Sequence, residues 1–129
     1  MGKVKTAMND VLNAQNAIIN HVLNYATSMF SKTPRQKLDG AESRLKTLQD
    51  LKKDYVDAVG DFNDAVRNMS GNTWTINKRK KARNFSRGIN DFDNGETMTH
   101  FNSILGIELI RVSAKKNGHV DLLMSQGMI

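Results

Sequence analysis

Six cations crowd into ten residues at Lys78, Arg79, Lys80, Lys81, Arg83 and Arg87, with no acid among them and one aromatic, Phe85. Such a run makes a local field able to neutralise several phosphates. Spread around a helix, it favours contact with a nucleic-acid backbone over reading of base edges. Phe85, with Trp74 upstream, offers rings for stacking on unpaired bases, as single strands and RNA require. The competing possibility is a solvated, lysine-rich surface. The lack of interleaved acid in a chain of formal net charge +6 favours nucleic acid, RNA or DNA, bound with low sequence specificity. No RRM, KH, zinc-finger or helix-turn-helix pattern points to sequence-specific recognition.

A second charged feature opposes the first. Asp50, Asp54, Asp57, Asp61 and Asp64 step by four, three, four and three residues, which draws them into a ridge along one side of a helix. Like charges at that spacing cost a few tenths of a kcal/mol per pair. Either the ridge is a solvated face, or it receives the basic run of the same chain or of a neighbouring copy and so sets register in an assembly. Asp54, Asp57 and Asp61 are its central partner-binding candidates.

Catalytic chemistry has thinner support. His100 and His119 are the acid–base candidates for a small metal-independent ribonuclease, with Arg111, Lys115 or Lys116 on the phosphate. Asp91, Asp93, Glu96 and His100 offer oxygen and imidazole ligands, but their order departs from the EF-hand pattern and suits an ordinary Asp/Asn/Gly turn. No metal or other cofactor is expected. The chain has no cysteine, which removes disulfides, thiolate zinc sites and cysteine nucleophiles.

These residues need elements to position them. With 129 residues, 39% apolar and 25% charged, one domain is expected, a helical hairpin over 1–71 followed by a basic segment and a small α/β element over 72–129. Val4, Val11, Ile18 and Tyr25 recur every seven residues, with Met8, Val22 and Met29 beside them, and predict a first helix over 4–30. Its other side carries Asn9, Asn13, Asn16, Asn20 and Asn24, and Asp10 is the sole formal charge between Thr6 and Ser31. Asparagine is a mediocre helix former. A charge-free amide ladder therefore reads either as a contact with another subunit or as a merely polar face.

Thr33, Pro34 and Gln36 have the spacing of a capping box with proline in the first helical position. They open a second helix expected to run over 34–69, through Gly40 and Gly60, with Ala41, Leu48, Tyr55, Phe62 and Met69 every seven residues. Ser70, Gly71 and Asn72 would stop it. Two long helices on a short connection make an antiparallel hairpin with coiled-coil-like spacing.

Residues 73–88 predict a short basic helix, capped by Thr73 or Asn77 and ended by Gly88. Asn94-Gly95 and Asn117-Gly118 suit type I′ turns. Ile110, Val112 and Ala114 alternate before the second pair, and Val120, Leu122 and Met124 after it, which predicts a β-hairpin over 107–124. Residues 97–105 read as weak strand or short helix. The expected fold class is mainly α, of α+β type: a long antiparallel helical hairpin, a short basic helix and a small C-terminal β-hairpin.

No apolar run approaches the roughly 20 residues that span a bilayer. The N-terminus lacks the apolar stretch of a secretory signal, so an intracellular or virion-associated protein is expected. Met1-Gly2-Lys3-Val4-Lys5-Thr6 also fits a loose myristoylation pattern. The function these features favour is non-enzymatic: a self-assembling, nucleic-acid-binding structural or packaging protein of viral, phage or mobile-element kind, touching phosphates through 78–87. The ribonuclease is the alternative, and a protein–protein interaction module a further one.

Overall fold

The structure, a computed structural model, describes residues 2–69 and 75–127. The expected stop at 70–72, the Thr73 cap and Trp74 lie outside the described residues. Within the described residues six helices follow in order: α1 Gly2–Phe30, α2 Pro34–Leu38, α3 Ala41–Arg67, α4 Ile76–Asp93, α5 Glu96–Asn117 and α6 Val120–Ser125. Among the described residues there is no strand, so the fold is all-α. Nor is any helix long and apolar enough to cross a membrane.

The first hairpin forms as its periodicity requires. Val4, Val11 and Ile18 are buried, and they meet Leu48, Tyr55 and Phe62 of α3 in one apolar cluster. The capping box is also present: the Gln36 amide donates to Thr33 Oγ1 at 3.2 Å, and the Thr33 amide donates to Gln36 Oε1 at 2.9 Å.

The second helix is not continuous. Gly40 sits at φ +77°, in the left-handed region, and separates α2 from α3. Glycine enters that region without the penalty a Cβ brings. A Cβ at Gly40 would also stand 3.3 Å from the Arg44 guanidinium. Gly40→Ala is therefore expected to cost about 1–2 kcal/mol, read as a lower urea midpoint with an unchanged helical spectrum. An unaltered midpoint would show that the corner relaxes without strain. Gly60, by contrast, passes through α3 as expected, and α3 ends at Arg67 rather than 69.

The larger correction concerns the C-terminal third. The predicted β-hairpin over 107–124 is absent; α5 runs unbroken from Glu96 to Asn117. Gly118 takes φ +73° and closes that helix, its amide bonded to the Ala114 carbonyl. An Asn-Gly pair serves a left-handed helix end as well as it serves a hairpin turn. Phe101, Ile104, Glu108, Arg111 and Ala114 are buried at spacings of three and four, and that helical face overrides the local alternation. Asn94-Gly95 likewise joins two helices: Asn94 ends α4 and Gly95 precedes α5. The basic helix is longer than expected, capped by Thr75 rather than Thr73 or Asn77 and continuing through Gly88 to Asp93.

Pairs of residues fix the topology. Against α3 in descending order stand Phe85 on Phe62, with ring centroids 4.9 Å apart, and Phe92 on Tyr55, at 5.4 Å. Asn102 on Lys52 at 3.3 Å, Glu108 on Arg44 at 2.6 Å and Lys115 on Glu42 at 3.0 Å continue the series. Thus α4 and α5 are both antiparallel to α3 and follow one another along it. They form a third column broken at Asn94-Gly95, beside the α1–α3 pair. The α4 half carries the cations.

Candidate nucleic-acid interface

Helix α4 begins where Thr75 Oγ1 accepts the Lys78 amide at 3.2 Å. Ala82 and Ile89 are buried, and Phe85 and Phe92 are half-buried, which sets the helix phase. The exposed circumference carries the cations together with Asn77, Asn84 and Asn90, and ends at Asp91. Arg79, Arg83 and Arg87 follow at intervals of four along one exposed line, with Lys80 beside it. Lys78 and Lys81 instead turn toward α1, where they border a groove with Lys5. The run therefore has two faces: an outward arginine ridge and a pair of lysines on a groove. Phe85 points inward onto Phe62, so its ring packs in the core rather than projecting from the basic surface.

The acidic ridge lies elsewhere. Asp54, Asp57 and Asp61 border a trough between α1 and α3 that also takes in Asp10, Asn13 and Ala14. The α4 groove uses Lys5, Met8 and Leu12 of the same α1, so the two depressions sit on opposite flanks of that helix. The ridge finds cations on its own helix: Lys46 holds Asp50 at 3.0 Å, Lys53 holds Asp57 at 2.7 Å, and Arg67 pairs with Asp64. All three are surface pairs worth less than about 1 kcal/mol each. The asparagines at 9, 13, 16, 20 and 24 are all exposed, as a single external ladder.

His100 and His119 are not brought together. His100 lies in the first turns of α5 and His119 just beyond its last residue, both exposed. The intervening helical rise is on the order of 25 Å, too far for one phosphate to meet both in a single chain. Asp93 accepts the Tyr55 hydroxyl at 2.6 Å, and among the described residues no three His, Asp or Glu groups converge on one point. Of the phosphate-steadying candidates, Lys115 is held by Glu42, and Arg111 is buried.

Arg111 belongs to a feature that the sequence did not reveal. Glu108 is fully buried on α5. Arg44 of α3 reaches it with Nε at 2.6 Å, and Arg111 with Nη1 at 3.2 Å. The Tyr25 hydroxyl of α1 donates to Glu108 Oε2 at 3.0 Å and accepts from Arg111 Nη1 at 2.8 Å. Arg44 also donates to the Asp39 carbonyl at 3.0 Å and to the Lys37 carbonyl, closing the exposed end of α2. One carboxylate thus joins three helices and a corner. Burial raises the Tyr25 hydroxyl pKa first, and the Glu108 carboxylate adds to the shift, against opposition from Arg111.

Beside this network, His21 faces Tyr25 with ring centroids 6.5 Å apart. Among the described residues neither its buried Nε2 nor the buried Arg111 Nε has a hydrogen-bond partner. Burial lowers the His21 pKa from its ordinary 6.5. The unfolded chain then binds the proton more tightly, so acidification through that value favours unfolding. The urea midpoint is expected to fall as pH drops from about 7.5 to about 5.5, and less steeply in His21→Leu. Parallel profiles for the two proteins would remove His21 as the cause.

No family model, curated protein or solved structure matches this chain.

Proposed function

We propose that this chain is a non-enzymatic, self-associating nucleic-acid-binding protein of structural or packaging type, acting inside a cell or a viral, phage or mobile-element particle. The observation that carries the reading is the exposed side of α4. Lys80, Arg83 and Arg87 project from a helix whose opposite side is anchored in the core, and no acid intervenes between Ile76 and Asn90. A rigid row of cations suits the regular charge of a nucleic-acid backbone, whose contacts carry no base information. Self-association rests on α1: Leu23 and Phe30 are 64% and 91% exposed on a helix almost without charge, and the amide ladder adjoins them. The ribonuclease alternative loses its geometric basis with the separation of His100 from His119.

The test is fluorescence anisotropy with a labelled single-stranded RNA and a DNA duplex of equal length at low salt, paired with light scattering. Binding to both, weakened in Lys80→Gln/Arg83→Gln/Arg87→Gln, is expected, together with a mass above that of one chain. No binding at low salt ends the nucleic-acid reading, and a monomeric mass at high concentration ends self-association.

A further inference from the structure

The groove on the lysine side of α4 has a chemistry of its own. Its volume is about 620 Å³, within the roughly 300–1,000 Å³ range of sites for small organic ligands. Val4, Met8, Leu12, Met69 and Phe85 make a continuous apolar floor. Lys5, Lys78 and Lys81 stand along the rim, and among the described residues no acid lines it. The depression on the other flank of α1 is the converse, bordered by Asp10, Asp54, Asp57 and Asp61. Two depressions flanking one helix therefore carry opposite charge, and only the cationic one has a broad apolar floor.

The floor is mostly aliphatic, and its one ring, Phe85, is packed on Phe62, so it offers little to a nucleic acid. A neutral apolar molecule has no use for the rim. The ligand that satisfies both is a flexible alkyl chain ending in an anion. Methionines at 8 and 69 suit it further, because their unbranched, polarizable side chains adapt to a chain of no fixed shape. We propose that the α1–α4 groove binds a single long-chain fatty acid, its alkyl chain on Val4, Met8, Leu12, Met69 and Phe85 and its carboxylate among Lys5, Lys78 and Lys81. This site is separate from the outward arginine ridge.

Isothermal titration calorimetry of the full chain with dodecanoate, tetradecanoate and hexadecanoate, each below its micelle concentration, tests the assignment. One-to-one binding is expected, tightening about tenfold for every two carbons added, as burial of two methylenes implies. Dodecyltrimethylammonium, with the opposite headgroup charge, is expected to bind at least roughly fivefold more weakly than dodecanoate. Lys78→Gln/Lys81→Gln is expected to erase that preference while keeping the chain-length dependence. Met8→Asp is expected to abolish binding, with a far-UV spectrum like that of the parent. Absence of a one-to-one isotherm at every chain length overturns the proposal, as does equal affinity for the cationic amphiphile. An acidic amphipathic peptide that binds where no fatty acid does also overturns it, and assigns the groove to a protein helix.

Discussion

Replacing Glu108 with alanine is expected to destabilise the fold by roughly 3–5 kcal/mol. The change removes the buried carboxylate that holds both Arg44 and Arg111 and leaves their guanidiniums without it. Arg111 has a side chain only 8% exposed, so little solvent reaches it to compensate. Of a total stability on the order of 5–15 kcal/mol, that loss is a large part. Urea denaturation with Glu108→Ala would show it directly, and a thermal midpoint lowered by roughly 10–20 °C would accompany it.

The cost arises from charges stranded by the change, not from an intrinsic strength of the ion pair. Replacing Glu108, Arg111 and Tyr25 together with Leu, Met and Phe is therefore expected to recover much of the stability. Arg44→Met added to that set is expected to lose some of it again, because Arg44 also donates to the carbonyls of Lys37 and Asp39. A Glu108→Ala protein within 1 kcal/mol of its parent (about the worth of a surface pair) would mean that water or rearrangement reaches the site freely.

The second large effect concerns binding. Each phosphate contact contributes about 0.7 to the slope of log affinity against log salt on a single strand and about 0.9 on a duplex. Lys80→Gln/Arg83→Gln/Arg87→Gln removes three exposed charges from one side of α4. Its salt slope is expected to fall by about 2 on RNA, with affinity near 0.1 M salt lowered on the order of 10²-fold. All sequences should weaken together, since backbone contacts carry no base information. A triple variant with the parent's slope would place the phosphates elsewhere, and a loss confined to one sequence would contradict backbone recognition.

The two halves of the chain differed in how much they disclosed. α1 and α3 were legible because their core positions are apolar at regular spacing, and the polar faces interrupt nothing. The capping box at Thr33 was legible because its hydrogen bonds are entirely local. The Gly40 break was not, since a glycine inside a helical pattern is tolerated at Gly60 and adopts a positive φ at Gly40. Asp39-Gly40 carried a turn signal that the flanking periodicity concealed.

In α5 the concealment was deeper. Glu108 and Arg111 occupy inward positions of the series Phe101, Ile104, Glu108, Arg111, Ala114. A reading that treats every charge as outward sees the helical face end at Ile104. What remained was a local alternation around Ile110 and Val112, and an Asn-Gly pair that fits either structure. An acid and a base three residues apart, both in phase with buried apolar neighbours, are the signal for a paired interior network. The six cations of α4 were legible as a cluster, but their division between two faces was not. It depends on the helix phase, which Ala82 and Ile89 set through tertiary packing.

The Glu108 network also bears on how the chain comes together in time. Arg44 meets its carboxylate 64 positions downstream, and Tyr25 reaches 83 positions along the chain to the same group. During synthesis α1 and α3 emerge before α5, which carries the carboxylate. The hairpin alone therefore lacks the carboxylate that ties Arg44 to Tyr25, and Arg44 stays in water until Glu108 arrives. Contacts so distant in sequence are slow to close, and the last third of the polypeptide acts as the latch that commits the first.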